Sequence, residues 1–256
     1  KRDEQRKPRI LRGARQVGKT TVVNQFGTEF DNYLYFNLEI TQNARLLEMD
    51  IPLDQLVQLM FAQSGISPKE GSTLIFIDEI QNSPKAITRL RYFYEQRPDL
   101  YIIAAGSLLE NLVDVKVSFP VGRVQYLAMH PCSFCEFLHA LGKNNLLDII
   151  NRSYDYSSAF HNELMHLFNQ YAIVGGMPEA VQKYAQSGDV LALDNIYETL
   201  IQSYKDDSEK YVKGGMLTQV VRFVLSYGWA FAGKTITLGN FANSGYFKLL
   251  VSSTMP

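Results

Sequence analysis

A glycine-rich octapeptide near the start of the chain carries the first residues that could do chemistry. Residues 13–20 read GARQVGKT and fit G-x-x-x-x-G-K-[ST], a loop whose backbone N–H groups can point at phosphate oxygens. In such a loop Lys19 would reach the β- and γ-phosphates of a nucleotide, and the Thr20 hydroxyl would hold Mg²⁺. The alternative is an ordinary turn with a solvated lysine. The residues predicted to bind the phosphates of ATP are Gly13, Ala14, Arg15, Gln16, Val17, Gly18, Lys19, Thr20 and Thr21.

Two adjacent carboxylates end a strongly apolar segment further along the chain. Residues 74–79 read LIFIDE, and such an apolar run is typical of a central parallel strand that is buried on both faces. The carboxyl ends of the strands form the edge at which ligands bind in open α/β sheets. Asp78 is therefore predicted to hold Mg²⁺ through its water shell, and Glu79 to polarise the water that attacks the γ-phosphate. The alternative, a strand that ends in a solvated acidic turn, is disfavoured by the phosphate-binding loop in the same domain.

The elements that would position these two motifs alternate between strand and helix. This alternation predicts an α/β fold, with a parallel five-stranded sheet and helices on both faces. Helices are expected after the glycine-rich loop, at 46–64 despite Pro52, and at 84–96. The strands are expected at 8–12, 33–38, 74–79, 100–105 and 121–129.

Ser107 follows the predicted strand at 100–105, beside the strand that ends in the two carboxylates. P-loop ATPases place at this point a polar residue that orients the water or the γ-phosphate, and Ser107 is a catalytic candidate for that reason. A serine at a strand end is also a common helix cap, and the sequence leaves both interpretations open.

The second half of the chain is predicted to be mainly helical. We expect a P-loop ATPase domain at 1–130, a helical lid domain at 131–213 and a partial C-terminal segment at 214–256. Beyond Glu209 there is no acidic residue while several basic ones remain, so this tail either binds DNA or is a solvated surface. Residues 228–235 repeat the phosphate-loop pattern, but no acidic residue follows them, and Trp229 and Phe231 would crowd a phosphate. The helices are expected at 134–141, 157–168, 178–186 and 190–210.

Composition excludes several classes of protein. The 256 residues carry a net charge of −1, which argues against a globally basic nucleic-acid coat. No apolar run is long enough to cross a membrane, and no membrane partner is expected. The two cysteines, Cys132 and Cys135, lack the second ligand pair that a zinc site needs, and we interpret them as packing residues. Without a secretory signal they favour a reducing, cytoplasmic environment.

These residues together resemble a known family. The chain is similar to bacterial AAA-type P-loop ATPases with a C-terminal domain of unknown function, which are allied to archaeal ATPases and origin-initiator-like proteins. The motifs that carry the resemblance are residues 13–20, Phe36-Asn37-Leu38-Glu39, Ile77-Asp78-Glu79-Ile80-Gln81, Ala105-Gly106-Ser107, Val121-Gly122-Arg123, Pro131-Cys132-Ser133-Phe134 and Gly175-Gly176-Met177-Pro178.

The resemblance implies a fold and an activity. It implies an AAA-type sheet, a helical lid and a winged-helix-like start from about residue 214. It also implies ATP and Mg²⁺ as ligands, hydrolysis coupled to a conformational change, and a homo-oligomer. In such oligomers an arginine often reaches a neighbour's γ-phosphate, a role for which Arg123 is a catalytic candidate, with a salt bridge as the alternative. The lid arginine of many AAA proteins has no counterpart after Gly176.

Two other functions remain open from the sequence. A DNA-binding or scaffold switch could bind ATP without hydrolysing it. A P-loop small-molecule kinase would share the phosphate-binding loop, but direct phosphate transfer would not need Glu79.

Overall fold

Five parallel strands form one sheet in this computed structural model, which describes residues 6–106, 122–152 and 157–211 together with Val224 and Gly228. The strand order is β2-β3-β4-β1-β5, so the predicted five-stranded parallel sheet is confirmed. The strands are β1 (Arg9–Arg12), β2 (Asn32–Asn37), β3 (Thr73–Asp78), β4 (Leu100–Gly106) and β5 (Gln125–Ala128).

In the described part of the chain, helices follow β1, β2 and β3, and further helices follow β5. A short 3-10 turn, Ile80–Asn82, follows β3, and a second one, Leu191–Leu193, precedes the last helix. The helices are α1 (Lys19–Gly27), α2 (Thr41–Glu48), α3 (Leu53–Ser64), α4 (Pro84–Gln96), α5 (Phe134–Ala140), α6 (Asn144–Arg152), α7 (Ser157–Val174), α8 (Pro178–Ser187) and α9 (Asp194–Tyr211).

The side chains of β3 alternate between the two faces of the sheet, and each face has its own apolar cluster. Ile75 and Ile77 belong to the larger apolar cluster, which contains the buried residues of α2, α3 and α4. Leu74 and Phe76 belong to a smaller cluster with Val23 of α1. Since successive side chains of a strand point to opposite faces, α1 covers one face and the other three helices cover the opposite face. All six residues of β3 are buried, as predicted for a central strand.

The strand order explains why the two sequence motifs meet. The glycine-rich loop follows β1 and the two carboxylates follow β3, and only β4 lies between these strands. Because all the strands are parallel, both motifs lie at the same carboxyl edge of the sheet. The neighbouring strands β1 and β4 are followed in sequence by strands on opposite sides of them, β2 and β5, and open α/β sheets bind ligands at such a switch point.

One predicted helix is wrong. Residues 46–64 form parts of two helices, α2 and α3, with a break at Met49–Pro52. Pro52 precedes the first turn of α3 with an extended ψ of 148°, and its ring and missing N–H prevent a continuous helix. The apolar faces of both helices nevertheless enter the same core cluster, through Leu46 and Leu47 of α2 and Leu56 of α3.

Two other elements differ from prediction. The fifth strand begins at Gln125 rather than near residue 121, because Gly122 adopts a positive φ of 78° in the turn before it. Helix α6 was not predicted, and it packs through Leu146 against Leu138 and Leu167.

The chain divides into two compact units. The first comprises Lys1–Tyr171 and Gly175–Pro178 and contains the sheet, and the second comprises Ala172–Val174 and Glu179–Pro256. The three-domain division at residues 130 and 213 stays a prediction. Ser107 and nearly all of the predicted winged-helix-like segment lie outside the described residues. Within the described residues, no helix combines the length and the apolar character that a membrane crossing requires.

Candidate nucleotide-binding site

The glycine-rich loop is held tightly against the segment after β5. The Met129 N–H donates to the Arg12 carbonyl at 2.7 Å, which continues the β1–β5 pairing to the start of the loop. A Cβ atom on Gly13 would lie 2.3 Å from the Met129 carbonyl oxygen, so only glycine fits there. Val17 is fully buried and anchors the loop, whereas Ala14 and Gln16 are exposed.

The glycine-rich loop leads directly into α1, and the N-terminal end of this helix is open. Gly18 is the residue before the first turn, with a left-handed φ of 88°, and as a glycine it has no side chain with which to cap the helix. No acidic residue lies in the first turn, and Thr21 is exposed there. The free N–H groups and the helix dipole favour an anion at this end, so the loop fits a phosphate group.

The Lys19 side chain, which is predicted to contact the phosphates, folds back onto the glycine-rich loop. Its side chain is only 7% exposed, and Nζ donates to the carbonyl oxygens of Gly13 at 2.9 Å and of Ala14 at 2.7 Å. Burial lowers the pKa of Lys19, while the charges of Glu79 and Asp78 act in the opposite direction. The ammonium group is therefore pre-positioned in the loop and electrostatically linked to both carboxylates.

A direct hydrogen bond joins the loop to the acidic end of β3. The Thr20 hydroxyl donates to Asp78 Oδ2 at 2.7 Å, although the two residues are 58 positions apart in sequence. Asp78 is buried, and its other oxygen accepts the Glu79 N–H at 3.0 Å. A hydroxyl and a carboxylate are the hard oxygen donors that Mg²⁺ prefers, so this pair fits the ion that the fold family implies.

Glu79 occupies an unusual backbone conformation beside this pair. Its φ of 52° and ψ of 44° are left-handed, and among the described non-glycine residues only Gln16 shares a positive φ. Burial raises the pKa of Glu79, the Gln81 amide lowers it, and Asp78 and Glu39 raise it again. Both strained residues thus lie at the same site, where strain is commonly stored for function.

Arg123 lies elsewhere in the described structure and already has a partner. Its Nε donates to Glu95 Oε1 of α4 at 2.5 Å, and both side chains are about one-third exposed. Hydrogen bonds from Arg123 and Arg91 lower the pKa of Glu95. The salt bridge that the sequence left as an alternative is therefore present, and a role for Arg123 at a neighbouring subunit stays a prediction.

Sequence reasoning assigned no role to two polar residues that contact the carboxylates. The Tyr35 hydroxyl donates to Asp78 Oδ2 at 3.3 Å, and Gln81 Nε2 donates to Glu79 Oε2. Burial and Asp78 raise the pKa of Tyr35 to about 12, so its hydroxyl stays protonated at neutral pH. The position of Tyr35 could have indicated this contact, because Tyr35 lies two residues before the carboxyl end of β2 and β2 pairs with β3.

Two of the family-like motifs of the second half of the chain meet beside the loop. The Cys132 N–H donates to the Gly176 carbonyl at 2.7 Å, and the Tyr171 hydroxyl donates to the Cys132 carbonyl at 2.8 Å. A Cβ on Gly18 would lie 3.6 Å from the Met129 methyl group and 3.9 Å from the Pro178 ring. The segment that ends at Pro178 therefore forms one wall of the loop.

The chain was compared with curated proteins and with solved structures. No curated protein matches the chain. Solved structures that it resembles include PCH-2 of C. elegans, with 14% identity, a TM-score of 0.39, and coverage of 76% of this chain and 60% of that one. Drosophila ORC bound to DNA shows 15% identity, a TM-score of 0.37, and coverage of 91% and 65%. The chain thus spans less than two thirds of either protein.

A family model gives the more specific result. The model described as an AAA domain matches residues 5–138, just over half of the 256 residues. The match includes the glycine-rich loop, Asp78 and Glu79, and all five strands of the sheet. The chain therefore belongs to the AAA domain family of P-loop ATPases.

Proposed function

We propose that the chain binds ATP with Mg²⁺ and hydrolyses it to ADP and phosphate, and that this turnover drives a conformational change. The observation that carries the proposal is the hydrogen bond between Thr20 and Asp78, beside the buried Lys19. It brings a phosphate-binding loop and a paired acidic motif to one edge of the sheet. Glu79 follows Asp78 directly, where a group that activates water is needed.

Each residue of the site has a distinct task in this proposal. The loop amides and Lys19 bind the phosphates, and Thr20 and Asp78 hold the ion, which when bound offsets the negative charge of the phosphates. Glu79 orients and polarises a water molecule. The water oxygen forms a bond to the γ-phosphorus while the bond to the β,γ-bridging oxygen breaks. The proton that water loses passes through Glu79 to the phosphate product.

Phosphate release is the experiment that tests this function. We expect the chain to release phosphate from ATP when Mg²⁺ is present, and Lys19→Ala to lose most of its affinity for ATP. Turnover without a second phosphorylated product would argue against a small-molecule kinase. Binding of ATP without turnover, with and without duplex DNA, would replace the hydrolysis proposal with that of a non-hydrolysing switch.

Binding of DNA is a separate part of the proposal. The basic character of the chain beyond Glu209 supports it, since this stretch contains no acidic residue. Contacts to DNA phosphates release counterions, so binding of duplex DNA should weaken steeply as salt is raised. Binding that is undetectable or insensitive to salt would contradict this part and leave the ATPase proposal intact.

A further inference from the structure

A glutamine two residues after Glu79 lies on a well-anchored turn. Gln81 is the middle residue of the 3-10 turn Ile80–Asn82, and Ile80 is fully buried in the main core cluster. The Asn82 N–H donates to the Glu79 carbonyl at 3.0 Å, and the Ser83 N–H donates to the Ile80 carbonyl at 3.1 Å. The backbone that carries Gln81 is therefore fixed relative to Glu79.

The contact between the two side chains determines the orientation of the amide. Gln81 Nε2 donates to Glu79 Oε2, and an ionised carboxylate can only accept hydrogen bonds. The amide nitrogen must therefore face Glu79, and the amide oxygen must point elsewhere. That oxygen, Gln81 Oε1, is buried and has no hydrogen-bond partner in the described part of the chain. Because both polar atoms share one carbon, this buried and unpaired acceptor lies close to the Glu79 carboxylate.

Two features of this turn lower the stability of the folded protein. A buried acceptor without a partner is unfavourable, and so is the left-handed backbone of Glu79. Glu79 is also faced by Asp78 and Glu39, whose negative charges oppose its own, while Arg15 attracts it. Gln81 is the neutral donor that holds the carboxylate in this setting.

We propose that Gln81 is a positioning residue for ATP hydrolysis, which holds Glu79 Oε2 through its amide nitrogen and so fixes the direction in which the carboxylate meets the attacking water. This inference rests on the proposed hydrolysis. With Oε2 of Glu79 held by the Gln81 amide, Oε1 is the carboxylate oxygen that can accept a proton from the attacking water. One proton passes to Glu79 as the bond to the γ-phosphorus forms, and the other stays on the oxygen.

The first test replaces the amide by a side chain of similar length without its hydrogen bonds. We expect Gln81→Met to lower kcat by about 10- to 100-fold, the effect of losing hydrogen bonds to a charged group, with KM and ATP affinity nearly unchanged. Gln202→Met is the matched control, because Gln202 Nε2 donates to Asp206 Oδ1 at 2.8 Å within α9. Gln202→Met also removes a hydrogen bond from an amide to a carboxylate, and this variant should keep the kcat of the parent.

A double-mutant cycle separates positioning from a structural role. If Gln81 acts through Glu79, Gln81→Met should cause much less loss of kcat in a Glu79→Gln background than in the parent, since residues that act as a unit are not additive. An independent structural effect would give the same loss in both backgrounds and would overturn the inference.

The remaining outcomes also decide between the two proposals. A parent protein that binds ATP without turnover overturns the hydrolysis proposal and this inference together. A parent that turns over ATP while Gln81→Met retains the parent kcat overturns the inference alone. If Gln81→Met does not fold, Gln81→Asn replaces it, because its shorter amide cannot reach Glu79 Oε2 from the same backbone. A parent-like kcat for that variant would equally overturn the inference.

Discussion

Replacement of Glu79 should separate turnover from stability. Glu79→Gln keeps the shape of the side chain and removes its charge, so ATP affinity should persist or rise slightly. Turnover should fall on the order of a hundredfold or more, the scale expected when a general base is lost. Lys19→Ala should instead lose most ATP affinity, because its ammonium group would contact the phosphates before and during bond breakage.

The effect on stability follows from the surroundings of Glu79. Burial raises the pKa of Glu79, and Asp78 and Glu39 repel its charge, so the ionised side chain is unfavourable in the folded protein. Glu79→Gln removes that charge and should leave the free energy of unfolding equal to or above that of the parent. Glu79→Gly also relieves the left-handed backbone, a gain of about 1–2 kcal/mol, but the entropy of glycine costs about 0.5–1 kcal/mol and the loss of the hydrogen bond from Gln81 costs about 1–3 kcal/mol. We therefore expect the free energy of unfolding of Glu79→Gly to be no higher than that of the parent.

Two measurements on the same protein preparations check this reasoning. Denaturant unfolding without nucleotide gives the stability of the parent and of both variants, and phosphate release gives their turnover. Gln16→Gly is a backbone control for the unfolding measurement alone, because Gln16 also has a positive φ, of 61°, but belongs to the predicted phosphate-binding loop. Gln16→Gly should gain about 1 kcal/mol of stability, since it relieves a left-handed backbone at an exposed residue. Parent-rate hydrolysis by Glu79→Gln would refute Glu79 as the base, and a loss of stability in Gln16→Gly would refute the assignment of strain.

Three further perturbations test other parts of the structure. Asp78→Asn should raise the Mg²⁺ concentration needed for half-maximal turnover by about 10- to 100-fold, as measured by titration of the ion, and an unchanged requirement would remove Asp78 from the metal site. Arg123→Ala should cost at most about 1 kcal/mol of stability. If it also acts on a neighbouring subunit, it should lose turnover and regain some when mixed with Lys19→Ala, and no recovery in assembled mixtures would count against that role. Phe93→Ala should destabilise the protein by about 3–5 kcal/mol in denaturant unfolding without altering ATP affinity, since Phe93 is 1% exposed in the core.

Much of the site could be predicted because its chemistry is local in sequence. The spacing of Gly13, Gly18, Lys19 and Thr20 already specifies a loop followed by a helix. The apolar run before Asp78 likewise specifies a buried strand whose end lies at the binding edge. The contact between Thr20 and Asp78 needed only one more element, a parallel sheet, which the alternation of strands and helices supplied.

The features that were missed depend on tertiary structure. The contact of Tyr35 with Asp78 follows from the register of β2 against β3, which places Tyr35 opposite Phe76, and no local pattern encodes a register. The prediction of one continuous helix at 46–64 was wrong for a related reason. Leu46 and Leu56 enter the same core cluster from two different helices, so the apolar periodicity continues across a break that Pro52 imposes.

The features of the site that are unfavourable to folding lie together at one edge of the sheet. The described non-glycine residues with a positive φ, Gln16 and Glu79, both lie at the carboxyl edge of the sheet, together with the buried ammonium group of Lys19. None of these features stabilises the folded chain, whereas β3 directly beneath them is buried along its whole length. A strand held on both faces can keep Asp78 and Glu79 in place although their immediate surroundings are unfavourable. Substitutions at the edge should therefore alter chemistry at little cost in stability, and substitutions in the layers beside β3 should do the reverse.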